Sequence, residues 1–206
     1  MNQKMPPTEL WQTPLGDFRD ALAHRPMPGC GAAAAVSADF GLALILKGLH
    51  LGQQHQRSAE RAALITRGEA LKRALAPLAG EDVAAFDAMM AALQKPQTSE
   101  EEKRLRAEAI QLAARRAVAV PLETARRCLE ALTLGEETMA HIEAQFESDA
   151  TAGAHLLTAA VQSVLLNVDA NLEALGSDDE RQRALKERDT LKIELAAARK
   201  SLGLVE

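Results

Sequence analysis

Pro26-Met27-Pro28-Gly29-Cys30-Gly31-Ala32-Ala33-Ala34-Ala35 runs without a break into Val36-Ser37-Ala38-Asp39-Phe40-Gly41-Leu42-Ala43-Leu44-Ile45-Leu46. Two prolines stop whatever precedes, two glycines let the backbone turn without a side chain in the way, and a helix of small residues begins at once. Its first N–H groups and the positive end of its dipole face open space and favour a carboxylate, a phosphate or a polarised carbonyl. The same signal also fits a plain N-terminal cap on a core helix. From there to Leu51-Gly52 the helix is apolar or small on nearly every side. It is therefore expected to be central and buried, with neighbours packed close against Ala33, Ala35, Ala38 and Gly41.

The rest of the composition agrees with a helical interior built around it. Of 206 residues, 47% are hydrophobic but only 2% aromatic, with no Tyr, so the core must come from Ala, Leu, Val, Ile and Met. The length suits one compact domain. The fold class expected is all-α: a single-domain bundle of about seven to eight helices over residues 15–206, around a buried central helix. Residues 1–14 carry Pro6, Pro7 and Pro14 and read as a flexible arm unless Leu10 and Trp11 dock. A net charge of -5 and the lack of stacking aromatics argue against nucleic acid as a partner. The longest apolar run, Gly41 to Leu46, is far shorter than the roughly 20 residues of a spanning helix, so no membrane segment is expected. Two cysteines, Cys30 and Cys128, are too few for a disulfide framework, and the start does not read as a signal peptide. A reduced, cytoplasmic setting is the expectation.

Along the chain, Asp17 to His24 makes a short helix, and Leu64, Leu71, Leu75 and Leu78 form one stripe of a packing helix that ends at Gly80. Glu81 opens the next. There Asp82, Phe86, Met89 or Met90, and Leu93 fall at helical spacing, so the Asp82 carboxylate shares the apolar face and points inward. Such a group must be paired, hydrogen-bonded or shifted in pKa, although an Asp near a helix start can also simply cap it. Thr98 followed by Glu101 reads as a capping box for a long helix from about Ser99, with Pro121 expected to kink or interrupt it. A further helix starts around Glu147-Ser148-Asp149, with Ser148 or Asp149 as its N-cap, and runs to Leu175. On it Ala160, Val164, Asn167, Asn171 and Ala174 share a stripe, and the two amides need partners on a neighbouring helix or on a ligand. Leu191, Leu195, Ala198 and Leu202 give the last helix a stripe that suits either its own domain or a second subunit.

The five histidines show no metal-ligand spacing, and no metal is expected. No Ser-His-Asp pattern, phosphate loop or dinucleotide fingerprint is present. Cys30 beside a helix N-terminus has a setting that can lower a thiol pKa, though a Cys in a turn is more often inert.

Six segments in order resemble the cyclodeaminase/cyclohydrolase family of folate enzymes. Pro28-Gly29-Cys30-Gly31-Ala32 is similar to the family's Pro-Gly-Gly-Gly-Ser/Gly loop, and Asp82-Val83-Ala84-Ala85-Phe86 to the segment carrying its catalytic aspartate. Leu93-Gln94-Lys95, Val120-Pro121-Leu122, Ser148-Asp149 and Asn167-Val168-Asp169-Ala170-Asn171-Leu172 follow in the family's order. The resemblance implies an all-helical fold, a homodimer, and a reaction on a tetrahydrofolate derivative: methenyltetrahydrofolate cyclohydrolase or formimidoyltetrahydrofolate cyclodeaminase. It implies Asp82 as base or electrostatic stabiliser, with Gly29, Cys30, Gly31, Ala32, Lys95, Asp149, Asn167 and Asn171 holding the folate. Asp82 and the start of the central helix are then expected to border a cleft large enough for a pterin. The chain departs from the family at Gly52-Gln53-Gln54-His55-Gln56, where relatives have a basic run. It departs again at Ile142-Glu143-Ala144-Gln145-Phe146, where they have Gly-Asn, and at Cys30, where they have glycine. These departures keep open a non-catalytic relative acting as a folate-like ligand-binding or assembly module.

Overall fold

A computed structural model describes residues 10–204. Among them are seven α-helices, α1 (Leu15–His24), α2 (Cys30–His55), α3 (Ala59–Leu75), α4 (Leu78–Leu93), α5 (Glu100–Thr138), α6 (Glu147–Asn171) and α7 (Asp178–Ser201), joined by short loops and single 3-10 turns. The described residues contain no strand. The all-α bundle expected from the sequence is the fold observed.

Helix α2 occupies the centre, with Ala32, Ala38, Leu42, Ile45 and Leu49 fully buried. Its chief neighbour is α6, and the two run antiparallel: Cys30 meets Asn167, Gly41 meets Gly153, and Lys47 meets Asp149. The crossing is backbone against backbone, since a Cβ on Gly41 would lie 2.7 Å from the Gly153 carbonyl oxygen. Glycine is required there because any side chain would push the helices apart. The consequence is a fixed register along the whole α2–α6 pair. By length and hydropathy, α2 and the span 144–174 would each suffice to cross a membrane, but 61% and 50% of those stretches are buried inside the bundle. The run Gly41–Leu46 alone underestimated this apolar length.

Several boundaries differ from the sequence reading. The leucine stripe that pointed to one helix through Gly80 is cut at Ala76-Pro77, where Pro77 opens α4 at Leu78. The capping box sits one residue later, with the Ser99 hydroxyl accepting from the Glu102 N–H and the Glu102 carboxylate accepting from the Ser99 N–H. Pro121 does not interrupt α5, which continues through it for 39 residues. Helix α6 begins at Glu147 after Phe146, so Ser148 and Asp149 lie in its first turn, and it gives way to a 3-10 turn at Leu172. The stripe of α7 packs on its own domain, with Leu191 and Leu195 buried in the core.

Residues 1–9 of the N-terminal arm lie outside the described residues. Leu10 docks into the core, and Trp11 donates its indole N–H to the Ala76 carbonyl at 2.7 Å while its ring meets Phe40 edge-on.

Candidate active site

The register of α2 against α6, and of α2 against α4, brings five predicted site residues, Cys30, Gly31, Ala32, Asp82 and Asn167, to one place. Asp82 reaches across from α4 to the first turn of α2, where its Oδ2 accepts the Ala32 N–H at 3.0 Å. No side chain of α2 itself caps that end, so a carboxylate from another helix satisfies one of its open donors. The inward direction read from helical spacing is therefore correct for Asp82, whereas Leu93, assigned to the same stripe, is exposed. Gly31 makes the approach possible: a Cβ there would lie 2.6 Å from the Asp82 carboxyl carbon and 2.5 Å from Asn167 Nδ2.

Asn167 donates Nδ2 to the other Asp82 oxygen at 3.3 Å and accepts the Cys30 thiol on Oδ1 at 2.8 Å. Thiol, amide and carboxylate thus form a chain across three helices. Burial pushes the Asp82 carboxyl above its ordinary value, and the Ala32 N–H and Asn167 amide pull against that by favouring the charged form. A half-buried carboxylate of this kind can accept a proton nearer neutrality than an exposed one, and its negative charge can steady a cation lying against it.

Asn171, one turn further along α6, is engaged by the fold. Pro121 has no N–H to give to the carbonyl four residues earlier, which is Ala117. Asn171 Nδ2 reaches that oxygen at 3.4 Å, while also donating to Asn167 O at 2.8 Å. The proline and the amide that the sequence presented separately are parts of one arrangement.

Other predicted residues stand apart. Asp149 is 18 residues from Asn167 on the same helix, about 27 Å along the axis, and pairs with Lys47 at 2.6 Å. Lys95 is exposed beyond the far end of α4, about 20 Å along the helix from Asp82. Gly29 does not stand apart: it is the residue before Cys30 that enters α2, half-buried beside Met27. The Gln53–Gln56 patch lies at the opposite end of α2 and locks loops: Gln53 accepts the Ser58 N–H, and His55 pairs with Glu143 at 3.1 Å. Arg61 donates to the carbonyls of Gln56 and His141. Two segments that depart from the family, around His55 and Glu143, therefore touch each other.

Asp82 and the α2 terminus meet directly rather than facing each other across a gap. The carboxylate lies directly on Gly31 and closes the gap, because a half-buried charge finds its donors in the helix end. Around this contact Cys30 is exposed and Asp82, Asn167 and Asn171 are partly so. Surface hollows of about 430 Å³ between α3 and α5, and about 410 Å³ on α1, do not include Asp82. The link between Cys30 and Asn167, 137 residues apart, had no signal in the sequence.

Residues 14–190 match the family described as formiminotransferase-cyclodeaminase. The chain belongs to that family. It is 35% identical over 185 residues to the methenyltetrahydrofolate cyclohydrolase of Methylorubrum extorquens, a match covering 87% of this chain and 89% of that protein. It is 29% identical over 204 residues to the formimidoyltransferase-cyclodeaminase of Sus scrofa, covering 97% of this chain but only 38% of that longer protein. The crystal structure of formiminotetrahydrofolate cyclodeaminase from Thermotoga maritima has the same fold, with a TM-score of 0.81 over 94% of this chain and 96% of that one, at 23% identity. Family membership and the helical architecture implied by the six sequence segments thus rest on independent matches.

Proposed function

We propose that this chain is a folate-dependent one-carbon enzyme, a methenyltetrahydrofolate cyclohydrolase, in which Asp82 acts as base and electrostatic stabiliser without a metal. The observation that carries the proposal is the half-buried Asp82 carboxylate, held by Ala32 and Asn167. It occurs in a chain similar over nearly its whole length to a protein bearing that name. The methenyl bridge is a delocalised cation between two nitrogens. Water adds to its carbon, loses a proton to Asp82, and leaves a tetrahedral carbon. Breaking one C–N bond then gives the formyl product: the proton held by Asp82 passes to the departing nitrogen, and the hydroxyl proton is released to solvent as the carbonyl forms, so that hydrolysis of the cation yields one net proton. The related reaction, in which N10 attacks a formimino carbon on N5 and ammonia leaves, asks for the same groups.

A second reading is favoured by one observation. Asp82 is already employed as the cap of α2 and lies against Gly31, which is what a purely structural aspartate would do. Loss of the methenyl chromophore on mixing with purified protein separates the two readings. Turnover that falls at least about 100-fold in Asp82→Asn is expected of the enzyme. Turnover that survives the substitution removes Asp82 from the mechanism, and absence of both turnover and folate binding leaves a non-catalytic module. Release of ammonia from formiminotetrahydrofolate, measured in parallel, tests the deaminase.

The proposal includes a cytoplasmic homodimer. Asp82 and Asp149 are too far apart on one chain to hold a single ligand, so a site using both needs two subunits. Exposed Phe40 on α2, and Leu156 and Leu166 on α6, offer apolar surface for such a contact. Light scattering at micromolar concentration tests it, with a monomeric mass as the contrary result.

A further inference from the structure

Asn167 has two ends of opposite character, and only one way of placing them is compatible with its neighbours. Its carbonyl oxygen lies 2.8 Å from the Cys30 sulfur, and its nitrogen lies 3.3 Å from Asp82 Oδ1. With the amide turned over, two oxygens would face each other at the carboxylate, and the NH2 group would face sulfur, a poor acceptor. The Cys30 S–H supplies a donor at the position that favours the observed orientation. Asp82 itself meets the Ala32 N–H from α2 and the Asn167 amide from α6, so the amide controls one of its two oxygens.

We propose that Cys30 is a positioning residue: its thiol, by donating to Asn167, keeps the amide turned so that it donates to Asp82 and fixes the orientation of that carboxylate. The role rests on the reading of Asp82 as the catalytic carboxylate, but the chain of bonds can be tested without turnover. The Cys30 thiol hydrogen-bonds to Asn167 and not to Asp82, and acts through the amide. The hydroxyl of serine would do the same work, whereas alanine or a capped thiol would not.

The experiment is carbon-13 NMR of the Asp82 carboxyl in protein labelled at aspartate, titrated with pH. Asp82→Asn identifies the resonance. Removing a donor from a charged acceptor raises its titration midpoint. Asn167→Ala is expected to raise it by about 0.5–1 pH unit, Cys30→Ala by a smaller amount in the same direction, and Cys30→Ser to stay within about 0.2 unit of wild type. Methylthiolation of the wild-type protein with methyl methanethiosulfonate provides a route that needs no substitution. It should reproduce Cys30→Ala, and leave Cys30→Ser unaffected because Cys128 is fully buried. A Cys30→Ala midpoint equal to wild type, or a Cys30→Ser midpoint displaced as far as Cys30→Ala, overturns the proposal. If the midpoints move as expected but no variant turns over methenyltetrahydrofolate, the positioning stands and the enzymatic reading fails. If turnover is present, Cys30→Ala should lower kcat several-fold with KM little changed, and Cys30→Ser should restore it.

Discussion

Replacing Gly31 by alanine tests the geometry on which the site depends. A Cβ at this position would lie 2.6 Å from the Asp82 carboxyl carbon, against ordinary carbon contacts of roughly 3.5–4 Å, so the carboxylate must withdraw by about 1 Å. The Ala32 N–H to Oδ2 bond, now 3.0 Å, would then stretch to about 4 Å and cease to be a hydrogen bond. A hydrogen bond to a charged group is worth roughly 1.5–3 kcal/mol. The gain in helix propensity from Gly to Ala returns at most about 1 kcal/mol. The net expectation is a loss of about 0.5–2 kcal/mol, read as a fall of roughly 0.3–1 M in the urea midpoint with an unchanged slope. In an Asp82→Ala background only the Asn167 amide nitrogen, 2.5 Å from the added Cβ, still stands in the way and no carboxylate bond is left to lose, so Gly31→Ala should cost at least about 1 kcal/mol less there than in wild type. A Gly31→Ala midpoint equal to wild type, or the same loss in both backgrounds, would refute the argument that Gly31 exists to admit the carboxylate.

Three further outcomes follow from other parts of the structure. Asn171→Ala should cost about 1 kcal/mol or more in urea unfolding because it strips the Ala117 carbonyl of a donor, and less in a Pro121→Ala background, where the helix supplies its own N–H. Equal costs in the two backgrounds would separate the proline from the amide. Asp39 is half-buried on α2, with Oδ1 unpartnered, and its pKa is raised to about 6 by burial, lowered in part by Lys72 and raised further by Glu69. Folded protein therefore holds an extra proton between about pH 4 and 6, and stability is lost as pH rises through that window. The shift corresponds to about 3 kcal/mol before screening and roughly 1–2 after it, so Asp39→Asn should be more stable than wild type by that smaller amount at pH 7.5 and flatten the slope below pH 6. A variant that is no more stable at pH 7.5 contradicts this. Finally, one thiol should react with a disulfide reagent in native protein and two in denaturant, since burial raises Cys128 to about 12 while Cys30 is exposed; rapid native reaction of both would show that the core around Cys128 opens.

The wall against which the site stands was legible in the sequence, and so were most of its components. Prolines and glycines before a run of alanines marked the start of α2, and helical spacing turned Asp82 inward. Pro121 and Asn171 were both visible, but their partnership was not, because the carbonyl that a proline leaves open is met by whichever helix lies alongside. The same holds for the His55–Glu143 contact, where two unusual segments 88 residues apart prove to be neighbours. The direct seating of Asp82 on Gly31 was hidden for a related reason: spacing gives the direction of a side chain, not the distance to what it meets.

The sequence by itself determined that the chain is helical, that α2 is its buried centre, and that a carboxylate from α4 faces inward, because each follows from local backbone preference and a period of 3.6 residues. Only the tertiary structure decided that this carboxylate caps α2, that Cys30 and Asn167 complete its surroundings, and that Asp149 lies at the other end of the bundle. Those relations depend on the register between helices, which the Gly41–Gly153 backbone contact sets and no single helix encodes.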